Sequence, residues 1–131
     1  MSVSADVAYV KDIPEGTPVS YGSRWVAGRA TRLATIPLGY ADGVPRTDAM
    51  REAGAFVVKG ARVPVAGTVC MDLIMVDVTD VDDVKIRDEA VIIGKQGHQE
   101  ITAEEVAAML DTISYEVLCG ISARVPREYI F

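Results

Sequence analysis

The stretch Thr35-Ile36-Pro37-Leu38-Gly39-Tyr40-Ala41-Asp42-Gly43 decides how this chain is read. Arg32 to Leu38 is a buried-looking strand, with Leu33, Ala34 and Ile36 apolar. It runs into a turn built on Gly39 and on Asp42-Gly43, because glycine accepts positive φ without a Cβ clash and Asp-Gly is a strong turn former. Tyr40 is therefore carried at the mouth of a turn, where a rigid sheet usually presents functional groups. The competing reading is a tyrosine that closes the end of a small core and needs only a hydrogen-bond partner.

Working outward, the N-terminal side reads as β structure. Val3 to Lys11 is one mostly apolar β-favouring run, and Asp12 to Gly16 is a turn. Thr17-Pro18-Val19-Ser20-Tyr21-Gly22 follows, with Pro18 marking an edge or a strand start because it cannot donate to a ladder. Gly22 turns the backbone away and leaves the Tyr21 phenol at a strand end. Ser23 to Gly28 reads as a loop or bulge carrying Trp25, and Arg29 to Leu38 as the next strand.

On the C-terminal side, Val44 to Gly54 is irregular, with a short helix at Asp48 to Arg51. Ala55–Lys59 and Arg62–Pro64 form a hairpin through Gly60. Val65 to Val69 leads to Cys70-Met71-Asp72, and Leu73 to Val78 and Glu89 to Ile93 are strands, the latter closed by Gly94. Thr102 to Glu105 fits a capping box that starts a helix over Ala103 to Leu110. Ser114 caps a second short helix through Glu116 to Cys119, and Arg124 to Phe131 ends the chain as a strand. About seven short strands with frequent Gly/Pro punctuation give a mainly β fold: a small antiparallel β-barrel or sandwich with one or two short helices.

Composition sets the outer bounds. The 131 residues suffice for one domain, 1–131, with a real core. A net charge of −6 without any basic cluster argues against nucleic acid or an anionic membrane surface as partner. No apolar run is long enough for a signal peptide or a spanning helix, so a cytoplasmic location is expected. Cys70 and Cys119 fall outside any CxxC pattern and read as reduced thiols, with Cys70 a small buried apolar residue. The acidic run Asp77, Asp80, Asp82, Asp83 lacks calcium-loop spacing, so no metal is expected. His98 stands alone in a turn between Gly97 and Gln99 as an exposed bystander.

Five motifs in order carry a resemblance. Pro18-Val19-Ser20-Tyr21-Gly22, Ile36 to Gly43, Gly67-Thr68-Val69-Cys70-Met71-Asp72, Ile113-Ser114-Tyr115-Glu116-Val117 and Arg124-Val125-Pro126-Arg127 resemble the C-terminal domain of alanine racemase. The resemblance covers essentially the whole chain. It implies an isomerase that interconverts L- and D-alanine for peptidoglycan, with pyridoxal 5'-phosphate (PLP) held on a lysine of an N-terminal (β/α)8 barrel that this chain does not match. It further implies a head-to-tail homodimer, in which this domain meets its own subunit's barrel and that of the partner subunit. Lys11, Lys59, Lys85 and Lys95 all lie outside the matched motifs.

By the same match, Tyr21 is the base that takes the proton from L-alanine. A tyrosine with the ordinary pKa of about 10 is under about one per cent phenolate at neutral pH, so such a base needs cations or a hydrogen-bond chain nearby. Met71 matches the residue whose backbone N–H binds the substrate carboxylate. Tyr40 matches the tyrosine that narrows the substrate entrance, with Asp72 beside it. Tyr115 matches the tyrosine that hydrogen-bonds the PLP phosphate of its own subunit, whereas Tyr21 and Met71 serve the partner's site. Thr68 departs from the arginine that many members carry there, which alters the charge of the entrance corridor. The bland alternatives are strand-end packing for Tyr21 and core packing for Tyr115. The alternative functions are a domain of a broad-specificity amino-acid or serine racemase, and a stand-alone β-barrel interaction module. The ends at Met1 and Phe131 suggest a piece excised from a longer chain, inactive by itself.

Overall fold

The computed structural model describes residues 1–131. Ten strands and three short helices form the chain: β1 (Val3–Asp6), β2 (Tyr9–Ile13), β3 (Pro18–Val19), β4 (Trp25–Val26), β5 (Thr31–Ile36), α1 (Asp48–Ala53), β6 (Ala55–Val58), β7 (Ala61–Pro64), β8 (Ile74–Asp77), β9 (Glu89–Gln96), β10 (Gln99–Ile101), α2 (Ala103–Met109) and α3 (Ser114–Cys119). The strands fall into three antiparallel sheets. One has the order β1-β9-β6-β7 with β10 also paired to β9, a second the order β2-β5-β8, and a third is the β3-β4 pair. The fold is mainly β, as expected, but the sheets do not close into one barrel.

β5 is the strand on which the layers meet. Leu33 joins a small cluster with Ile13, Val19, Ala27 and Ala66. Its neighbours Ala34 and Ile36 belong to the main core with Phe56, Val57, Val58, Ile74, Val76 and Val91. A strand buried on both faces reads as a continuous apolar run, since successive side chains point to opposite sides. Burying apolar surface from both sheets is the main favourable term holding them together.

Several boundaries differ from the sequence reading, each for a physical reason. Val3 to Lys11 is not one strand. The Val7 N–H binds Asp88 O at 2.8 Å and the Ala8 N–H binds Thr35 O at 2.9 Å, so the chain crosses there from one sheet to another. Trp25 is in a short strand that pairs with Val19, not in a loop. β9 continues through Gly94, at φ 129°, to Gln96, and returns through Gly97-His98 as β10, a strand that three residues of weak pattern did not announce. Ser114 opens α3 but does not cap it: Ile113 is the capping position and supplies no side-chain bond. Arg124 to Phe131 is not a strand; it pairs with no sheet edge and lies largely exposed. The Lys59-Gly60 hairpin turn is present, with φ of 51° and 75°, the positive pair that a two-residue turn between twisted strands requires.

Candidate functional site

The register of β5 against β8 builds the site. Ile36 pairs with Ile74, so the residues after β5 and those before β8 must emerge at the same end of the sheet. Tyr40 lies in the first group and Met71 in the second. The contact is made by backbone: the Tyr40 N–H binds Cys70 O and the Ala41 N–H binds Met71 O, each at 3.0 Å. Gly39 is what permits this approach. A Cβ there would sit 2.2 Å from Cys70 O and 2.3 Å from Met71 O.

Tyr21 reaches the same place from β3. It begins a single 3₁₀ turn, Tyr21–Ser23, after Ser20, whose φ of 67° and ψ of −176° put a non-glycine residue in a region used almost only by glycine. The surroundings hold that conformation. The Ser20 hydroxyl donates to Thr68 O at 2.6 Å and stands 3.5 Å from Cys70 Sγ, while the Thr68 hydroxyl donates to Tyr21 O at 3.2 Å. Strain of this kind, about 1–3 kcal/mol, persists where neighbouring structure over-determines the backbone.

Tyr21, Tyr40, Arg46, Val69, Cys70 and Met71 line one groove of about 680 Å³. Tyr21 is 69 % exposed and Tyr40 48 %, so neither closes a core, and Met71 is exposed as well. Arg46 makes no ion pair within the chain and places an unneutralised guanidinium in the groove. The Met71 carbonyl is taken by Ala41, whereas its N–H has no hydrogen-bond partner in the chain. Cys70 is only partly buried and forms part of the groove wall, so it is not the core residue the sequence suggested.

Tyr115 is not in this groove. It lies on α3 and is 75 % exposed, with no bond to its hydroxyl, so it is not a core residue either. Asp72 follows Met71 but does not itself line the groove; it binds Arg124. Asp42, expected only as part of the Asp-Gly turn, has a second role. Its carboxylate is buried and accepts the Gly39 N–H at 2.9 Å and the Arg124 Nε–H at 2.6 Å. The Arg124 guanidinium, and secondarily the Gly39 N–H, hold the Asp42 carboxyl below the usual aspartate range against the opposing effect of burial. Only the Asp-Gly turn signal was visible locally, since the partner lies 82 residues away. His98 is an exposed turn residue away from the groove. A separate, mostly apolar cavity of about 280 Å³ lies beneath α2 and α3 against β9. It contains none of the tyrosines and reads as an incompletely filled seam in the packing.

The match to known proteins spans the whole of this architecture. The family described as "Alanine racemase, C-terminal domain" matches residues 1–129. The chain belongs to that family. It is 50 % identical over 123 residues to the alanine racemase of Halothermothrix orenii, covering 94 % of this chain and 32 % of the relative. It is 45 % identical over 131 residues to alanine racemase 2 of Caldanaerobacter subterraneus, covering 100 % of this chain and 33 % of the relative. Among solved structures, alanine racemase from Bacillus anthracis with bound L-Ala-P superposes with a TM-score of 0.92 at 35 % identity, covering 99 % of this chain and 32 % of that one. The chain thus spans about a third of the length of the alanine racemases it matches. No helix of this family member is long and apolar enough to cross a membrane.

The groove also shows what this racemase domain could contribute toward PLP. Its lining contains no lysine, and Lys11, Lys59, Lys85 and Lys95 are all elsewhere. The free phenol of Tyr115 is a suitable donor to a phosphate oxygen.

Proposed function

We propose that this domain completes the active site of a PLP-dependent alanine racemase, in a homodimer whose barrel domains hold the cofactor and whose product is used for peptidoglycan. The observation that carries the reading is the convergence of Tyr21, Tyr40 and Met71, whose N–H is unpartnered, on one groove in a chain of this family. PLP, when bound, supplies the electron sink that makes the α-proton of alanine removable.

In this reading Tyr21 takes that proton from L-alanine at its phenolate oxygen and, in the reverse direction, returns it to the same face. The opposite face needs a second base, which this chain does not provide. The Met71 N–H donates to the substrate carboxylate and fixes the face presented to Tyr21. A backbone donor imposes no demand on the side chain, which is free to pack. Tyr40, half-exposed at the mouth of the turn, narrows the entrance, and Arg46 supplies positive charge along the route of an anionic carboxylate. Tyr115 donates to the phosphate of the cofactor in its own subunit, while Tyr21 and Met71 act in the partner's site. Its absence from the groove agrees with that division. Such an enzyme works in the cytoplasm.

The test is racemisation by this chain with added PLP, alone and mixed with a matching barrel domain. Activity is expected only in the mixture, with Tyr21→Phe lowering the rate from L-alanine by about 10²–10⁴-fold, the range of a lost general base. A mixture that is soluble, binds PLP and stays inactive, with Tyr21→Phe affecting only stability, would leave the interaction-module reading in its place.

A further inference from the structure

Three segments distant in sequence meet at one side chain. Arg124 follows α3, the helix that carries Tyr115. Its Nε–H donates to Asp42 Oδ1 at 2.6 Å, and its Nη2 donates to Asp42 Oδ2 at 3.2 Å and to Asp72 Oδ1 at 2.5 Å. Asp42 belongs to the turn that carries Tyr40. Asp72 directly follows Met71, and its carboxylate has no other partner in the chain. The backbone draws the same segments together, with the Ser122 N–H bound to Asp42 O at 3.0 Å.

The chemistry at this junction is directional. A guanidinium is planar and presents several N–H groups in a fixed fork, so it sets the angle and the distance between two carboxylates. Without it, two like charges would face each other across the contact between the turn and the corner, and the buried Asp42 carboxylate would lose its counter-charge. Resting on the site reading given above, we infer that Arg124 is a positioning residue: by bridging Asp42 and Asp72 it sets the Met71 N–H against Tyr40 and Tyr21. It touches no reacting atom. Displacement of a substrate-orienting group by about 1 Å can cost about 10²-fold in rate, so a clamp outside the groove is enough to control it. Because the same side chain follows α3, it also ties the Tyr115 helix to the residues that face the groove.

The experiment uses a full-length racemase carrying this domain, with Arg124→Ala, Arg124→Lys, Asp72→Asn and Tyr21→Phe measured side by side. The readouts are KM and kcat for both enantiomers, the inhibition constant of propionate (a carboxylate of alanine's length without its amino group), and Tm. Arg124→Ala is expected to raise KM and the propionate constant about tenfold or more, on the order of a lost charged hydrogen bond, with a smaller change in kcat. Added ethylguanidinium should restore both constants. Arg124→Lys should not, since an ammonium cannot reproduce the planar Nε and Nη2 fork that holds Asp42 while Nη2 reaches Asp72. Asp72→Asn should move both constants in the same direction by less, with Tm near the parent's.

Parent-like KM and propionate binding in Arg124→Ala and Asp72→Asn, with only Tm lowered, would make Arg124 a simple strut and overturn the inference. If Arg124→Ala does not fold, Asp72→Asn decides in its place, parent-like constants again overturning it. Tyr21→Phe separates the two levels. An active Phe variant sinks the site reading itself, whereas an inactive one beside parent-like Arg124 and Asp72 variants sinks only the positioning role.

Discussion

Asp42 is a buried carboxylate whose charge is part of the folded state. Because Arg124 lowers its pKa in the fold, the linkage has a definite sign. The stabilisation is complete above the ordinary aspartate range, near pH 4, and is lost as pH falls through the lower folded value. Asp42→Asn should therefore be less stable than the parent at neutral pH by about 2 kcal/mol, the scale of hydrogen bonds to a charged group. The gap should shrink as the solution is acidified, and urea titrations between neutral and low pH would show it. A constant gap would mean that the charge is not the stabilising feature. Gly39 makes a harder demand. Its missing Cβ leaves room for Cys70 O and Met71 O, so Gly39→Ala must push two backbones apart. Urea unfolding should register a loss of about 3 kcal/mol, the upper range of overpacking.

At the scale of elements, capping and pairing set what the short helices are worth. α2 is only seven residues long, and a helix of that length is marginal without packing and caps. The Thr102 hydroxyl accepts the Glu105 N–H at 3.0 Å. The Glu105 carboxylate is bound by Arg62 of β7, which, with the Thr102 N–H adding, holds it below the usual glutamate range. Thr102→Ala should cost about 1 kcal/mol, read as a lower urea midpoint. The Arg62–Glu105 pair is half exposed, so raising the salt concentration should remove most of its modest contribution. The capping box was legible because it is local, three residues apart. The bond to Arg62 was not, since β7 is 43 residues away. The same distinction explains Arg124–Phe131. Its residues suit a strand, but a strand forms only by pairing with a sheet edge, and the last segment pairs with none. Arg127 anchors it through the Ile121, Ser122 and Val125 carbonyls instead.

Taken whole, the molecule has a continuous core under two sheets and a tyrosine-lined face left open. Phe56 is fully buried in the larger cluster, and Phe56→Ala should cost about 3–5 kcal/mol in chemical unfolding. Tyr21, Tyr40, Met71 and Tyr115 are all exposed. If they meet barrel domains in the complete enzyme, the isolated domain should self-associate as concentration rises, and an added barrel domain should compete that away. Sedimentation at several concentrations would show it, and a strictly monomeric, non-competing domain would argue against a covered face.

The sequence by itself determined the class of fold, the hairpin through Gly60, the cap at Thr102, and the motifs that mark the family. All of these rest on periodicity, turn chemistry or local spacing, which a chain displays before it folds. Only the tertiary structure decided that Tyr21, Tyr40 and Met71 share a groove while Tyr115 does not, that Val3 to Lys11 serves two sheets, and that Asp42, Arg124 and Asp72 form one junction. Those facts depend on strand register and on contacts between residues 82 and 52 positions apart. No local propensity encodes a partner at that distance; it is chosen when the two sheets bury their common core and bring their ends together.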